Sequence, residues 1–159
     1  MRRSGFSLLL FVLLATSASG AEPSAEVAVA RCLTAAEKDG TDPHRCTFIY
    51  ADACVDRAED PSTVGQVACY EREAAVWDAK LNELYRKLMA GMSAEKTTRL
   101  RESERSWIEA RKQTCSFYSV FYEGGTMALP MAAACNTRQT SERVLFLKGF
   151  ADEVGQDPH

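Results

Sequence analysis

Six cysteines constrain the fold of this chain more than any other feature of its sequence. They are Cys32, Cys46, Cys54, Cys69, Cys115 and Cys135. All six follow an N-terminal segment typical of export, and an even number of cysteines in an oxidising compartment predicts three disulfides. Six cysteines allow 15 pairings, of which we favour nearest neighbours in sequence: 32 with 46, 54 with 69 and 115 with 135. Each bridge would close a short loop and contribute about 3 kcal/mol of stability.

The first 21 residues have the order of a secretory signal peptide. Arg2 and Arg3 precede an apolar run from Phe6 to Ala15, and small residues continue to Ala21, the expected cleavage point. The apolar run is shorter than the roughly 20 residues that cross a bilayer, and no second such run follows. We therefore expect a soluble periplasmic or secreted protein. No cysteine directly follows the cleavage point, which disfavours a lipoprotein.

Size and charge limit the classes of partner. Cleavage would leave 138 of the 159 residues, enough for one domain over 22–159. Loss of the two leader arginines would change the formal net charge from −3 to −5. Nucleic acid is then an unfavourable partner, because phosphate binding needs a concentrated basic surface. A basic protein suits the charge better.

Helix signals are dense, and strand patterns are nearly absent. Ser24 predicts the start of a helix that stops at Gly40, and Ser93 predicts the start of another that runs to about Tyr122. Asp-Pro pairs at 42–43 and 60–61 predict two further starts. We expect the helix after 61 to end near Ala90 with Gly91 in a left-handed stop, and a last helix from about 130 to 154. The predicted class is all-α: a small disulfide-stapled helical bundle built on a long antiparallel helical hairpin.

Each of the two long helices carries an apolar stripe. On the first, the stripe consists of Trp77, Leu81, Leu84 and Leu88; on the second, of Leu100, Trp107, Cys115 and Tyr118. Glu104 and Arg111 fall inside the second stripe, and an unpaired buried charge is very costly. We therefore predict a structural polar network in which Arg111 pairs with Asp78 across the hairpin, completed by Asn82 and Glu104. A buried ion pair of this kind more often fixes helix register than performs catalysis.

Nothing in the sequence indicates an enzyme, a metal or a cofactor. Glu71, Glu73, Asp78 and Glu83 crowd one helix, but no cleft for a general acid is evident, and we interpret these carboxylates as a solvated helix face. Zinc ligation is disfavoured, because there is no CxxC motif and His44 and His159 are the only histidines. We expect no catalytic residue, no metal and no cofactor.

The stretch "FYEGGTMALP" is the most plausible place for recognition of a partner. A Cys115–Cys135 bridge would close it and hold it rigid, which lowers the entropy lost on binding. The candidate partner-binding residues are Tyr122, Glu123, Gly124, Gly125, Thr126 and Met127. The alternative is a simple turn between helices, and the sequence does not separate the two.

Four stretches resemble the LprI-type lysozyme inhibitor family: "CYEREAAVWDAKLNELYRKLM" (69–89), "SERSWIEARKQTC" (103–115), "YEGGT" (122–126) and "CNTRQTSERVLFL" (135–147). The resemblance covers about 54–148 and leaves 22–53 as an N-terminal helical extension. It implies these anchor positions: Cys69, Trp77, Asp78, Leu81, Asn82, Tyr85, Trp107, Arg111, Cys115, Gly124, Gly125, Cys135, Thr140 and Arg143. Glu104 departs from the family pattern, which has glutamine there, and adds a charge beside Arg111.

The resemblance implies an exported, non-enzymatic protein that inhibits lysozyme-type peptidoglycan hydrolases. Lysozymes are usually basic, which agrees with the acidic charge of this chain. Occlusion of the glycan cleft by the rigid loop is the mechanism we expect. The alternative is a structural or assembly factor of the cell envelope that uses the same helices for interaction and inhibits nothing.

Overall fold

The computed structural model describes residues 23–57 and 61–154. Within these ranges the chain is helical and contains no strand, so the predicted all-α class is confirmed. The helices are α1 (Ala25–Asp39), α2 (Ala51–Arg57), α3 (Thr63–Gly91), α4 (Ala94–Phe121) and α5 (Ala128–Val154), with a short 3-10 helix at Pro43–Cys46. The predicted signal peptide, residues 1–21, and the predicted capping residue Asp60 lie outside the described ranges.

Three serines begin three of the helices. Ser24, Ser62 and Ser93 each accept a hydrogen bond from the backbone N–H three residues further on, and so cap α1, α3 and α4. The first and last of these were predicted. Ser62 takes the place of the expected Asp60-Pro61 start, so α3 begins at Thr63. Gly40 ends α1 as predicted, with a φ of 63°.

The helix predicted to start at Pro43 is split in two. Asp42 accepts a hydrogen bond of 2.9 Å from the backbone N–H of His44 and starts the 3-10 helix. The chain then turns at Phe48, whose φ of 71° is the left-handed value that few residues other than glycine adopt. A separate helix, α2, follows from Ala51.

Gly91 serves close packing rather than the predicted left-handed stop. It is not among the described glycines with positive φ, and the helix ends instead with Met92 in an extended conformation. A Cβ atom at position 91 would lie 2.6 Å from Cγ1 of Val154. A larger residue at this position would force the Val154 side chain to move, because the end of α5 passes over the end of α3.

Helix α5 packs against both long helices, α3 and α4, and its contacts give their relative orientation. Near one end of α5, Cys135 is bonded to Cys115 of α4, and Thr137 donates a hydrogen bond to the carbonyl of Tyr70 on α3. At the other end, Val154 lies over Gly91. It follows that α5 runs parallel to α3 and antiparallel to α4. The α3–α4 pair is antiparallel, as predicted, but each of its members packs mainly on α5, and the two touch over only a short stretch.

The core forms where α3 and α5 meet. The predicted stripe on α3 supplies Trp77, Leu81 and Leu88, which pack with Val144 and Leu147 of α5. Helix α1 adds buried residues to the same cluster. By contrast, Thr97 and Cys115 are the only residues of α4 that are buried. The stripe predicted on α4 is therefore only partly buried, and most of this helix faces solvent.

The prediction that the acidic residues of α3 form a solvated face is wrong for Glu73, which is buried. Its side chain has no exposed surface. Oε1 accepts hydrogen bonds from the backbone N–H of Phe48 (2.6 Å) and from Nε1 of Trp77 (2.9 Å), and Oε2 accepts from the backbone N–H groups of Tyr50 (2.9 Å) and Ala51 (2.8 Å). The carboxylate thus joins the start of α2 to the central tryptophan.

Three disulfides connect the elements. Cys32 is bonded to Cys46, Cys54 to Cys69 and Cys115 to Cys135. The first two tie α1 to the 3-10 helix and α2 to α3, and the third ties the end of α4 to the start of α5. These are the nearest-neighbour pairs that the sequence favoured.

We expect Glu73→Gln to lower the free energy of unfolding by about 2–4 kcal/mol, because an amide N–H₂ would face buried N–H donors that now have a carboxylate oxygen. Urea unfolding of the oxidised protein measures this. The matched control is Glu71→Gln, two residues earlier on the exposed side of α3, for which a change within about 0.5 kcal/mol is expected. Equal effects of the two substitutions would contradict the role given to Glu73.

Candidate functional site

The predicted recognition loop is a tight, braced connection between α4 and α5. The backbone N–H of Gly125 donates to the carbonyl of Tyr122 at 2.7 Å. Glu123 and Gly124 have φ values of 50° and 73°, so the glycine occupies a left-handed position that suits it. Because the Cys115–Cys135 bridge closes the base of the loop, its two ends cannot separate.

Large apolar side chains surround this loop and lie open to solvent. On the last turns of α4, Phe117, Val120 and Phe121 are 60%, 72% and 65% exposed. Met127 of the loop and Leu129 of the first turn of α5 are also exposed. We call these five residues together with Tyr122–Thr126 the tip surface. Clustered exposed apolar residues of this kind mark interaction sites.

The aromatic side chains of the tip surface hold each other in place. Phe117 lies 6.2 Å from Phe121, measured between ring centroids, and Phe121 meets Tyr122 edge to face at 5.1 Å. Tyr122 also stacks on Tyr118 at 6.3 Å and is only half-exposed. Stacked rings of this kind stabilise one another, so the tip presents an ordered surface.

Sequence reasoning predicted a recognition site in the loop alone and did not single out the exposed apolar residues at the end of α4. Phe117, Val120 and Phe121 follow an i, i+3, i+4 spacing on the side of α4 away from its stripe. A second apolar face on an amphipathic helix was the signal for them. Among the predicted loop residues, Thr126 also meets α3, where its carbonyl accepts a hydrogen bond of 3.5 Å from the hydroxyl of Thr63.

The ion pair predicted between Arg111 and Asp78 does not form within the described residues. Nη1 of Arg111 donates to Oγ1 of Thr140 on α5 at 2.8 Å, and its guanidinium lies 4.6 Å from the centroid of the Trp107 ring. Asp78 instead accepts a hydrogen bond of 3.0 Å from the amide of Asn82 on its own helix. The reason is geometric: α5, rather than α3, is the main neighbour of α4.

Glu104 finds its partner on α5 as well. It accepts a hydrogen bond of 2.7 Å from Nε of Arg143, whose Nη2 lies 2.5 Å from the same oxygen. Both side chains are nearly buried, at 12% and 10% exposed. The negative charge of Glu104, where the family pattern has glutamine, is therefore neutralised by Arg143 of α5. Arg111 has a different partner, Thr140.

The members of the predicted network nevertheless share one feature of the surface. Asp78 and Asn82 of α3 and Glu104 and Arg111 of α4 line a groove of about 330 Å³ between the two helices. Tyr85, Arg101, Arg105, Leu81, Trp107 and Ile108 complete its lining. The residues predicted to connect α3 and α4 in a polar network thus line opposite walls of an open groove.

Shifted pKa values occur away from both the tip surface and the groove. Burial raises the pKa of Asp52, and the neighbouring Asp56 raises it further. Burial likewise raises the pKa of Tyr70, with contributions from Asp52, Asp56 and Glu73. The hydrogen bond that Lys148 donates to Asp152 raises the pKa of Lys148, and the nearby charge of Glu37 raises it further. These groups belong to the contacts of α2 with α3 and of α1 with α5.

The described residues contain no cluster of three or more histidine, cysteine, aspartate or glutamate side chains that could hold a metal ion. All the cysteines among them are in disulfides. None of the described helices is both long enough and apolar enough to cross a membrane.

The fold and the tip surface define a small, disulfide-linked helical protein. Residues 54–147 match the family model described as "Lysozyme inhibitor LprI". The chain therefore belongs to the LprI lysozyme inhibitor family, an inhibitor family rather than a catalytic one. No curated protein and no solved structure matches it.

We expect Arg111→Ala to lower the free energy of unfolding by about 1–2 kcal/mol, since it removes one charged hydrogen bond and one ring contact. Asp78→Ala should change it by less than about 0.5 kcal/mol. The double variant should be additive to within about 0.5 kcal/mol. Urea unfolding of the four proteins gives these values. A strongly non-additive effect of the two substitutions on the free energy of unfolding would instead support the predicted ion pair between Arg111 and Asp78.

Proposed function

We propose that this protein acts outside the cytoplasm, where it binds lysozyme-type peptidoglycan hydrolases and inhibits them by covering the glycan cleft with its tip surface. Membership of the inhibitor family supports the choice of target. Three disulfides support an oxidising compartment, in agreement with the signal peptide expected at 1–21.

The observation that carries the proposal is the tip surface itself. An exposed apolar end that is braced by a disulfide can bind in a concave site without losing much conformational entropy. Phe117 and Phe121 are exposed, and aromatic residues are enriched at protein interfaces. Net negative charge favours approach to a basic enzyme. Inhibition then requires only steric exclusion of the glycan, with no chemical step.

A second candidate function rests on a different observation. An apolar groove of about 530 Å³ lies at the far end of α4 and α5, where Phe146 and Phe150 are exposed beside Leu100. An assembly factor of the cell envelope would use such a groove together with the tip surface to join two partners. This function predicts binding to envelope proteins without loss of lysozyme activity.

The decisive experiment is the clearing of a bacterial cell-wall suspension by lysozyme with and without the purified oxidised protein. The experiment uses several lysozyme types, because the family description covers lysozymes as a class. Slower loss of turbidity at micromolar protein supports the inhibitor. Unchanged clearing by every type tested supports the assembly factor instead.

We expect Phe117→Ala/Phe121→Ala to weaken inhibition by at least tenfold, since two exposed aromatic anchors at an interface contribute about 1–2 kcal/mol each. The matched control is Phe146→Ala/Phe150→Ala, which removes a second exposed pair of phenylalanine rings in contact, 5.1 Å apart at the far end of α5. Inhibition curves at fixed lysozyme concentration measure both. An equal loss of inhibition in the control variant would contradict the tip surface as the binding surface.

We also expect Cys115→Ala/Cys135→Ala to weaken inhibition, because the base of the loop would no longer be closed. The bridge closes a loop of 20 residues, so stability should fall by about 3 kcal/mol as well. Cys32→Ala/Cys46→Ala is the control, with a similar loop of 14 residues remote from the tip. If both variants inhibit like the parent at a temperature where both are folded, bracing of the loop is irrelevant.

A further inference from the structure

The groove between α3 and α4 has an origin in the packing of the fold. Because α5 takes the inner face of both helices, α3 and α4 stay apart along much of their length. The space left between them has a volume of about 330 Å³, at the lower end of the range of about 300–1,000 Å³ that small-molecule sites occupy. It suits a ligand of that size rather than a folded partner.

One wall of this groove is strongly basic. Helix α4 contributes Arg101, Arg105 and Arg111. Neither Arg101 nor Arg105 makes an ion pair within the described part of the chain. Arg111 uses one nitrogen for Thr140, which leaves its other donors for the groove. A local excess of positive charge in a chain of net charge −3 indicates an anionic ligand.

The two acidic groups of the groove do not cancel this charge. Glu104 is already neutralised by Arg143. Asp78 has only the amide of Asn82 as a partner. The groove therefore has three guanidinium groups against one carboxylate that no cation neutralises within the described residues.

The wall formed by α3 offers uncharged and acceptor groups. The amide nitrogen of Asn82 is used by Asp78, so its carbonyl oxygen remains able to accept a hydrogen bond. Asp78 and Tyr85 line the groove beside it, and each has an oxygen that can take part in a further hydrogen bond. These groups match hydroxyl and amide N–H donors of a ligand, while guanidinium groups match a carboxylate with two parallel hydrogen bonds.

We propose that this groove binds a small sugar acid, with the carboxylate on the arginines of α4 and the hydroxyl or amide groups on Asp78, Asn82 and Tyr85. The site is separate from the tip surface, so it does not depend on inhibition of a lysozyme. Only the choice of a cell-wall sugar as the first probe rests on the proposed function.

Titration of the isotope-labelled, oxidised protein followed by backbone amide NMR shifts tests the proposal. The probes are N-acetylmuramic acid and glucuronic acid, with N-acetylglucosamine as the neutral comparison and inorganic phosphate as the simple anion. A sugar acid should shift amides of 78–85 and 101–111 and bind at least about tenfold more tightly than N-acetylglucosamine, since charged hydrogen bonds are worth about that factor.

The variant Arg101→Ala/Arg105→Ala should weaken sugar-acid binding by at least about tenfold. Both side chains are exposed, so the fold should persist. Arg72→Ala/Lys87→Ala on the exposed part of α3 changes the net charge equally outside the groove, and should leave binding unchanged. Equal binding of the neutral sugar, equal or tighter binding of phosphate, or no shifts at millimolar concentration of either acid would overturn the proposal. Lysozyme is absent from this test, so its outcome is independent of inhibition.

Discussion

The buried carboxylate of Glu73 is the interaction on which the arrangement of the N-terminal half depends. A carboxylate without exposed surface is very unfavourable unless its oxygens are satisfied, and no cation pairs with Glu73 within the described residues. Four N–H donors replace the water it loses: three from the backbone between Phe48 and Ala51 and one from the indole of Trp77. The start of α2 lies against it, where the helix dipole also favours negative charge. The turn at Phe48 is consequently fixed over the core, between the ring of Tyr70 and the guanidinium of Arg138.

The packing of α3 on α5 depends on a second feature, a face of α5 made of small residues that carry hydroxyl groups. Thr137, Thr140 and Ser141 are buried, and each hydroxyl donates to a backbone carbonyl on its own helix. Thr137 also reaches the carbonyl of Tyr70, and Ser141 shares a hydrogen bond with Thr47. Side chains of this size let α3 approach closely, while their hydroxyl groups remain satisfied. Helix α5 therefore becomes the centre of the bundle, and α4 is left to attach through Thr140, Arg143 and the Cys115–Cys135 bridge.

The sequence predicted those features that local chemistry determines. Ser24, Ser93 and Gly40 set helix ends by their own hydrogen bonds or backbone preference, and the stripe from Trp77 to Leu88 requires only helical spacing. The partner of Arg111 could not be predicted in this way, because it depends on which of two helices lies beside α4. The burial of Glu73, by contrast, could have been predicted from the sequence. Glu73 lies four residues before Trp77, on the apolar stripe of α3 itself. A charge inside the apolar stripe of α3, like Arg111 in the stripe of α4, requires hydrogen-bond partners within the fold.

The exposure of α4 connects the two surfaces to which we assign binding. A helix of 28 residues that buries only Thr97 and Cys115 contributes little to the core, so its side chains are free of most packing requirements. Its end carries aromatic residues outward, and its middle carries arginines into the groove. Exposed apolar clusters favour association, and neighbouring like charges repel one another, so both kinds of group are more favourable with a partner. Because α4 is held by one disulfide, a few polar contacts and a stripe that is only partly buried, much of its sequence can serve recognition while α3 and α5 maintain the fold.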